Sequence, residues 1–195
     1  MKTISISGNI GCGKSTVLEH CRTAFPGICM VQEPLEEWKL HLDAFYTDPT
    51  NNSFNLQMKI CESYDRIFKH CGGSVVVERN SFESLNVFAK ILHSHQQLSD
   101  DELSLLSKQS IHKPDYVIYL KTTPTTCLRR IEERDRGNET SKITLNYLNE
   151  INNAYDDLYA NSPVNSVFVV DANESSTAVL VSVCAALETI GLDTD

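Results

Sequence analysis

Ile4-Ser5-Ile6-Ser7-Gly8-Asn9-Ile10-Gly11-Cys12-Gly13-Lys14-Ser15-Thr16 is the stretch that decides the fold. A strand pattern over Thr3–Ser7 breaks on three glycines between residues 8 and 13, then passes into a helical pattern from Lys14 to Phe25. The segment fits G-x-x-x-x-G-K-[ST] in the strand–turn–helix setting that this motif requires. Glycines let the backbone turn its N–H groups inward around phosphate oxygens. The helix N-terminus adds partial positive charge at the same place. Gly8, Asn9, Ile10, Gly11, Cys12, Gly13, Lys14, Ser15 and Thr16 are therefore expected to cradle the phosphates of a nucleoside triphosphate. Lys14 would reach the β- and γ-phosphates, and the Ser15 hydroxyl would face Mg²⁺. A dinucleotide-binding turn fits poorly, because Thr16 stands where its third glycine belongs.

Outward from this loop, β-branched runs recur at Ser74–Val77, Tyr116–Leu120 and Val167–Val170. They are nearly continuous in apolar character, as strands buried on both faces are. Helical patterns separate them: a capping box from Ser99 to Glu102 opens a segment to about Ser110, and others span Thr125–Arg134, Asn146–Tyr159 and Ser176–Ile190, with Gly191 as a stop. Strands alternating with helices predict an α/β fold, a central parallel sheet of about five strands flanked by helices in three layers. The 195 residues, without repeat or linker, predict a single domain over 1–195.

Lys and Arg number 17 against 26 Asp and Glu, a net charge of −9. That balance argues against a broad basic face for nucleic acid; positive charge for an anionic ligand must be concentrated locally. Seven cysteines, an odd number with no C-x-x-C pair, read as free thiols in a reducing compartment. No apolar signal segment precedes the first strand pattern, and Ala178–Leu187 is too short to span a bilayer. A cytoplasmic protein with neither membrane nor nucleic-acid partner is expected.

Three further features carry chemistry. Val75-Val76-Val77-Glu78-Arg79 ends a buried strand in an acid and a base, and a carboxylate beside the phosphate loop can hold Mg²⁺. Glu33 precedes Pro34, which holds the chain extended, so Glu33 is expected to end a short strand and point into a cleft. A carboxylate there can accept the proton of an attacking hydroxyl, with Trp38 nearby to wall an aromatic ligand. Arg129 to Arg136 holds four of the basic residues in eight positions, with Arg130 and Arg134 on one helix face and Arg136 at the helix end. This is the local positive charge that the acidic chain needs.

Together these pieces resemble the deoxynucleoside kinases of the deoxycytidine, deoxyguanosine and mitochondrial thymidine kinase type. The likeness runs from Ile4 to about Tyr159 through the phosphate loop, Glu33-Pro34…Trp38, Ser53-Phe54…Gln57, Glu78-Arg79, Lys113-Pro114-Asp115…Ile118-Tyr119-Leu120 and Arg130…Arg134-x-Arg136…Glu139, and more weakly over Val167–Glu174. It implies transfer of the ATP γ-phosphate to the 5′-hydroxyl of a deoxynucleoside, with Mg²⁺, in a homodimer. It implies Glu33 as general base with Arg79 as its partner, and Ser15 and Glu78 on the Mg²⁺ side. Arg130, Arg134 and Arg136 become a lid over the phosphates (about residues 130–142), and Asp171 and Asn173 part of a loop at the donor base. Tyr46 and Glu139 would hold the sugar 3′-hydroxyl. Gln57 would read the base edge and Phe88 stack on it, while Trp38, Phe45, Ile60, Tyr64 and Ser84 shape the pocket. Asn80 and Asn138 depart from the family pattern, in a serine after Glu-Arg and the first acid of a Glu-Glu pair.

Gln57 can pair N3–H and O4 of thymine or, flipped, N3 and N4–H₂ of cytosine. With bulky Ile60 and Tyr64 against purines, and small Ser84 beside a 5-methyl group, thymidine is expected as best substrate and deoxycytidine as a second. The alternative is a nucleoside monophosphate kinase such as thymidylate kinase; Glu33 facing an anionic acceptor would repel it. A GTP-binding switch protein would need an Asn-Lys-x-Asp motif, which the sequence lacks.

Overall fold

A computed structural model describes residues 1–134, 142–160 and 166–192. The strands are β1 (Thr3–Ser7), β2 (Cys29–Val31), β3 (Val75–Glu78), β4 (Tyr116–Lys121) and β5 (Ser166–Asp171), all parallel in the order β2-β3-β1-β4-β5. The helices are α1 (Lys14–Ala24), α2 (Leu35–Thr47), α3 (Pro49–His70), α4 (Ser81–Glu83), α5 (Lys90–Ser94), α6 (Asp100–Ser107), α7 (Pro124–Arg134), α8 (Leu145–Ala160) and α9 (Ser176–Ile190), with a π-helical stretch, Ser84–Ala89, joining α4 to α5. A five-stranded parallel sheet flanked by helices is the α/β fold that the alternating pattern predicts. Among the described residues no helix is long and apolar enough to cross a membrane.

β1 lies at the centre, paired to β3 and β4, and its two faces differ. Ile4 and Ile6 are fully buried in the main core with Leu18, Val76, Ile118 and Leu120. Ser5 and Ser7, equally buried, meet the carboxylate of Glu83 instead. The register sets Ile6 opposite Glu78, and the Arg79 N–H donates to the Ile6 carbonyl, so the ends of β1 and β3 deliver the phosphate loop and Arg79 side by side. This is the carboxyl edge of a parallel sheet, where α/β folds bind ligands.

Element ends differ from expectation in one place that matters. β2 stops at Val31, so Glu33 stands in the loop before α2 rather than at a strand end. Two long helices, α2 and α3, emerge where the sequence offers no clean apolar stripe. On α2 only Trp38 is buried; on α3 the buried set includes Ser53, Gln57 and Ser63. The start of α3 has its reason in Asp48, whose side chain accepts from Asn51 N, and in Pro49 at the first turn. The capping box at Ser99 forms as read, and Gly191 closes α9 with φ of 82°.

Candidate active site

One cavity of about 1200 Å³ opens at the carboxyl edge of the sheet. Its floor is the loop after β1. The Cβ that any other residue would add at Gly11 (φ +78°) falls 2.7 Å from the Cys127 carbonyl oxygen on α7, so only glycine lets the loop lie this close. Lys14 is buried, and its amine donates to the carbonyls of Gly8 (3.1 Å) and Asn9 (2.7 Å). Asn9 itself turns away from the cavity: its side chain donates to Leu148 O and accepts from Ile10 N, bracing the loop. Arg130 on α7 donates to the Cys12 carbonyl (3.2 Å) and the Ala172 carbonyl (3.0 Å), linking the loop to the end of β5.

On the facing wall, Arg79 Nη1 donates to both carboxylate oxygens of Glu33, at 2.7 and 2.9 Å. Both side chains are nearly buried. The same guanidinium reaches the Gly8 carbonyl through Nη2 (3.3 Å) and Nε (3.4 Å), and lies 5.0 Å above the Phe88 ring. Arg79 holds a left-handed backbone, φ 55°, which is strained for a side chain of this size. Burial opposes its charge, but Glu33 and the other acids around it hold the guanidinium firmly protonated.

Glu78 lies between the walls. Ser15 Oγ donates to its Oε1 at 2.9 Å. Burial, then the charge of Glu33, pushes its carboxyl upward, while Lys14, Arg79 and Ser15 pull it down. A hydroxyl and a carboxylate oxygen at the phosphate cradle are a hard oxygen set of the kind that suits Mg²⁺ held between one acid and substrate phosphates.

The other end of the cavity is rich in aromatic and apolar side chains with a few polar ones among them, and is shaped by α2, α3 and the π-helical stretch. Trp38 donates Nε1–H to Ser63 Oγ (2.9 Å) and meets Tyr64 edge-on at 5.9 Å. The Tyr64 hydroxyl donates to the Glu78 carbonyl (2.6 Å), which fixes that ring at the end of β3. Gln57, Ile60 and Tyr64 share one face of α3 at helical spacing. Gln57 Oε1 accepts the Ser84 hydroxyl at 2.5 Å. Ser84 and Phe88 sit four apart on the π-helical stretch, whose wide turn keeps both toward the cavity. Phe45 and Tyr46, in ring contact with each other, complete this end.

The cavity thus gathers Ile10, Gly11, Cys12, Gly13, Lys14, Ser15, Thr16, Glu33, Trp38, Phe45, Tyr46, Gln57, Ile60, Tyr64, Glu78, Arg79, Ser84, Phe88, Arg130 and Arg134. Gly8 and Asn9 support it from behind. Asp171 and Asn173 are not among its lining residues: Asp171 accepts from Asn173, Asn173 accepts from Thr123 N, and their neighbours Ala172 and Glu174 face the cavity instead. Arg136 and Glu139 lie outside the described residues. Tyr147 on α8 also lines the cavity and was not anticipated; its only sequence signal is its place one residue before buried Leu148 on an amphipathic helix.

Comparison with known proteins places the chain in a family. The sequence model of the deoxynucleoside kinase family matches residues 4–186. A probable deoxycytidine kinase of Fowlpox virus is 32% identical over 168 residues, 80% of this chain and 70% of that protein. The thymidine kinase of Ictalurid herpesvirus 1 is 29% identical over 188 residues, covering 90% of this chain and 81% of the relative. The deoxyguanosine kinase of Bacillus subtilis is 30% identical over 160 residues, with 78% and 76% covered. In fold, the chain is similar to a solved deoxyadenosine kinase from M. mycoides, with a TM-score of 0.84 at 23% identity over 96% of this chain and 99% of that one. A phosphate-loop motif at the carboxyl edge of a parallel sheet and a family match over nearly the whole length lead to one conclusion: this chain belongs to the deoxynucleoside kinase family and is an ATP-dependent phosphotransferase.

Proposed function

We propose that the protein transfers the γ-phosphate of ATP to the 5′-hydroxyl of a pyrimidine deoxynucleoside, thymidine best and deoxycytidine second. The reading rests above all on one observation: the Arg79 guanidinium spans the Glu33 carboxylate and the Gly8 carbonyl. It ties the candidate base to the phosphate loop and brings acceptor and donor into one frame. Glu33 takes the proton of the 5′-hydroxyl as the oxygen attacks. Arg79 holds the Glu33 carboxylate at two points and, as a buried cation, favours charge developing near it. Lys14 exchanges its main-chain carbonyl partners for phosphate oxygens. Ser15 and Glu78 are the residues that would hold Mg²⁺, which when bound neutralises phosphate charge. Arg130, Arg134 and Arg136 close from the lid, about residues 130–142 of a single domain.

Glu139 and Tyr46 hold the sugar 3′-hydroxyl in this reading, and Gln57 reads the base. Purines are disfavoured because the Tyr64 ring is pinned by its hydroxyl to β3 and cannot swing aside. Ser84 leaves space beside the base for a 5-methyl group. The family likeness adds a homodimer, which sedimentation equilibrium tests. Steady-state rates with ATP across thymidine, deoxycytidine, deoxyadenosine, deoxyguanosine and thymidine monophosphate test the substrate. A purine nucleoside used more efficiently than thymidine overturns the preference, and phosphorylation of the monophosphate in place of the nucleosides overturns the acceptor.

A further inference from the structure

Glu83 is fully buried, yet the side chains that bond its carboxylate among the described residues, Ser5, Ser7, Asn80 and Tyr155, are uncharged. Oε1 accepts from Ser5 Oγ (2.7 Å), Ser7 Oγ (2.6 Å) and Asn80 Nδ2 (2.9 Å). Oε2 accepts the Tyr155 hydroxyl at 2.8 Å. Burial pushes the Glu83 carboxyl upward, while the hydrogen bonds from Ser5, Ser7 and Tyr155 and the charge of Arg79 pull it back toward the carboxylate, the form that a set made only of donors suits. A buried anion is costly unless well satisfied, and what this one reaches is informative. The Tyr155 oxygen that donates to Glu83 accepts from Arg79 Nε at 3.2 Å. Tyr155 is held in place: it is itself fully buried, packed against both Tyr119 (5.8 Å) and Tyr159 (5.9 Å), whose rings also touch each other at 5.2 Å.

Arg79 therefore has one edge on Glu33 and the other on fixed framework, Tyr155 and the Gly8 carbonyl. This division has a chemical consequence. A base that accepts a proton loses its charge, and the ion pair that holds Arg79 weakens at the moment when the guanidinium must not move. A second anion, delivered through a neutral hydroxyl, does not change charge during turnover. We propose that Glu83, acting through the Tyr155 hydroxyl, is the positioning residue that holds the Arg79 guanidinium in place while Glu33 cycles between its charged and neutral forms. The left-handed backbone of Arg79 agrees with this, since such strain persists only where surrounding contacts over-determine it. So does the buried face of β1, where Ser5 and Ser7 spend both hydroxyls on Glu83.

The inference rests on the proposed roles of Glu33 and Arg79, and the test separates the two. Steady-state kinetics and melting temperatures are measured for the whole chain carrying Arg79→Ala, Tyr155→Phe, Tyr119→Phe or Glu83→Gln. Tyr119→Phe deletes a hydroxyl from the same aromatic stack, one bonded to Asp156 (3.0 Å) instead of Arg79. Tyr155→Phe is expected to lower kcat about tenfold, the effect of one lost hydrogen bond to a charged group, with the nucleoside KM within about twofold. Tyr119→Phe should leave kcat within about twofold at a similar loss of melting temperature. Glu83→Gln should reproduce the kcat loss; should it not fold, the tyrosine pair decides. Unchanged kcat in Tyr155→Phe, equal losses in the two tyrosine variants, or a loss confined to KM overturns the relay. Full activity in Arg79→Ala overturns the reading beneath it.

Discussion

Ser84 donates its hydroxyl proton to the side-chain oxygen of Gln57 across 2.5 Å. A hydroxyl both gives and takes a hydrogen bond. If the amide turns over to match cytosine instead of thymine, Ser84 can accept from the amide nitrogen in place of donating to the oxygen. An aspartate could not adapt in this way, and an alanine would offer nothing. Gln57→Leu is expected to lower kcat/KM for both pyrimidines about 10²-fold, because buried base edges go unpaired. Ser84→Ala should lower both by less than about tenfold and leave their ratio within about threefold. A ratio that moves further would mean that Ser84 pins one amide orientation only.

Replacing Glu33 tests the base directly. Glu33→Gln keeps the shape and one acceptor for Arg79 but cannot take a proton. The expected result is a fall in kcat of at least about 10²-fold, with circular dichroism and melting behaviour close to those of the parent. Comparable turnover in the variant would hand the proton to another group.

The phosphate loop offers a prediction of stability. Gly11→Ala must place a methyl group 2.7 Å from a main-chain oxygen on α7, at a backbone angle that disfavours any side chain. A cost above about 2 kcal/mol is expected, a fall of roughly 4–8 °C in Tm for a chain of this length. Differential scanning calorimetry checks it; an unchanged Tm would mean that loop and helix separate freely.

Glu37 supplies the acid-side prediction. Hydrogen bonds from Arg66 and Lys59 pull its carboxyl from its usual 4.5 down to about 2. A carboxyl lowered in the folded state stabilises above its ordinary titration range, and that contribution is lost as pH falls through the folded value. The pair is partly exposed, so the gain is below about 1 kcal/mol. Glu37→Gln should melt slightly earlier than the parent above pH 4.5, and the difference should fade toward pH 2. A difference that grows on acidification would contradict the sign.

Much of this architecture can be read from the chain because local chemistry and global fold agree there. Gly8 to Thr16 needs its glycines for backbone geometry, and Val75–Val77 and Tyr116–Leu120 are apolar because both sheet faces are covered. The helices α2 and α3 wall a cavity, so Gln57 faces it and Ser63 backs Trp38 where a core helix would carry leucine, and the buried Ser53 bonds its own helix at the Pro49 carbonyl, so the apolar period is blurred. Glu83 stands three residues after Asn80, a spacing that reads as a helix cap at the surface. Only the fold reveals that its carboxylate is wanted inside, because Ser5, Ser7 and Tyr155 come from elements far apart in sequence. Asp171 and Asn173 come to the donor base only through the family resemblance; in the structure the Asn173 amide accepts from Thr123 N and donates to Asp171, closing the turn, while Ala172 and Glu174 line the cavity.

The contact between Gly11 and α7 reaches beyond stability. Since the loop backbone abuts the helix that carries Arg130, and Arg130 grips that loop's Cys12 carbonyl in return, neither can be remodelled alone. Any substitution that retunes the triphosphate end must be matched across the seam, whereas Ile60, Ser84 and Phe45 hang on separate helices and can vary one at a time. Such a molecule is free to explore new nucleosides while its phosphoryl donor stays fixed, and engineering for altered acceptors should begin on the helical side of the cleft.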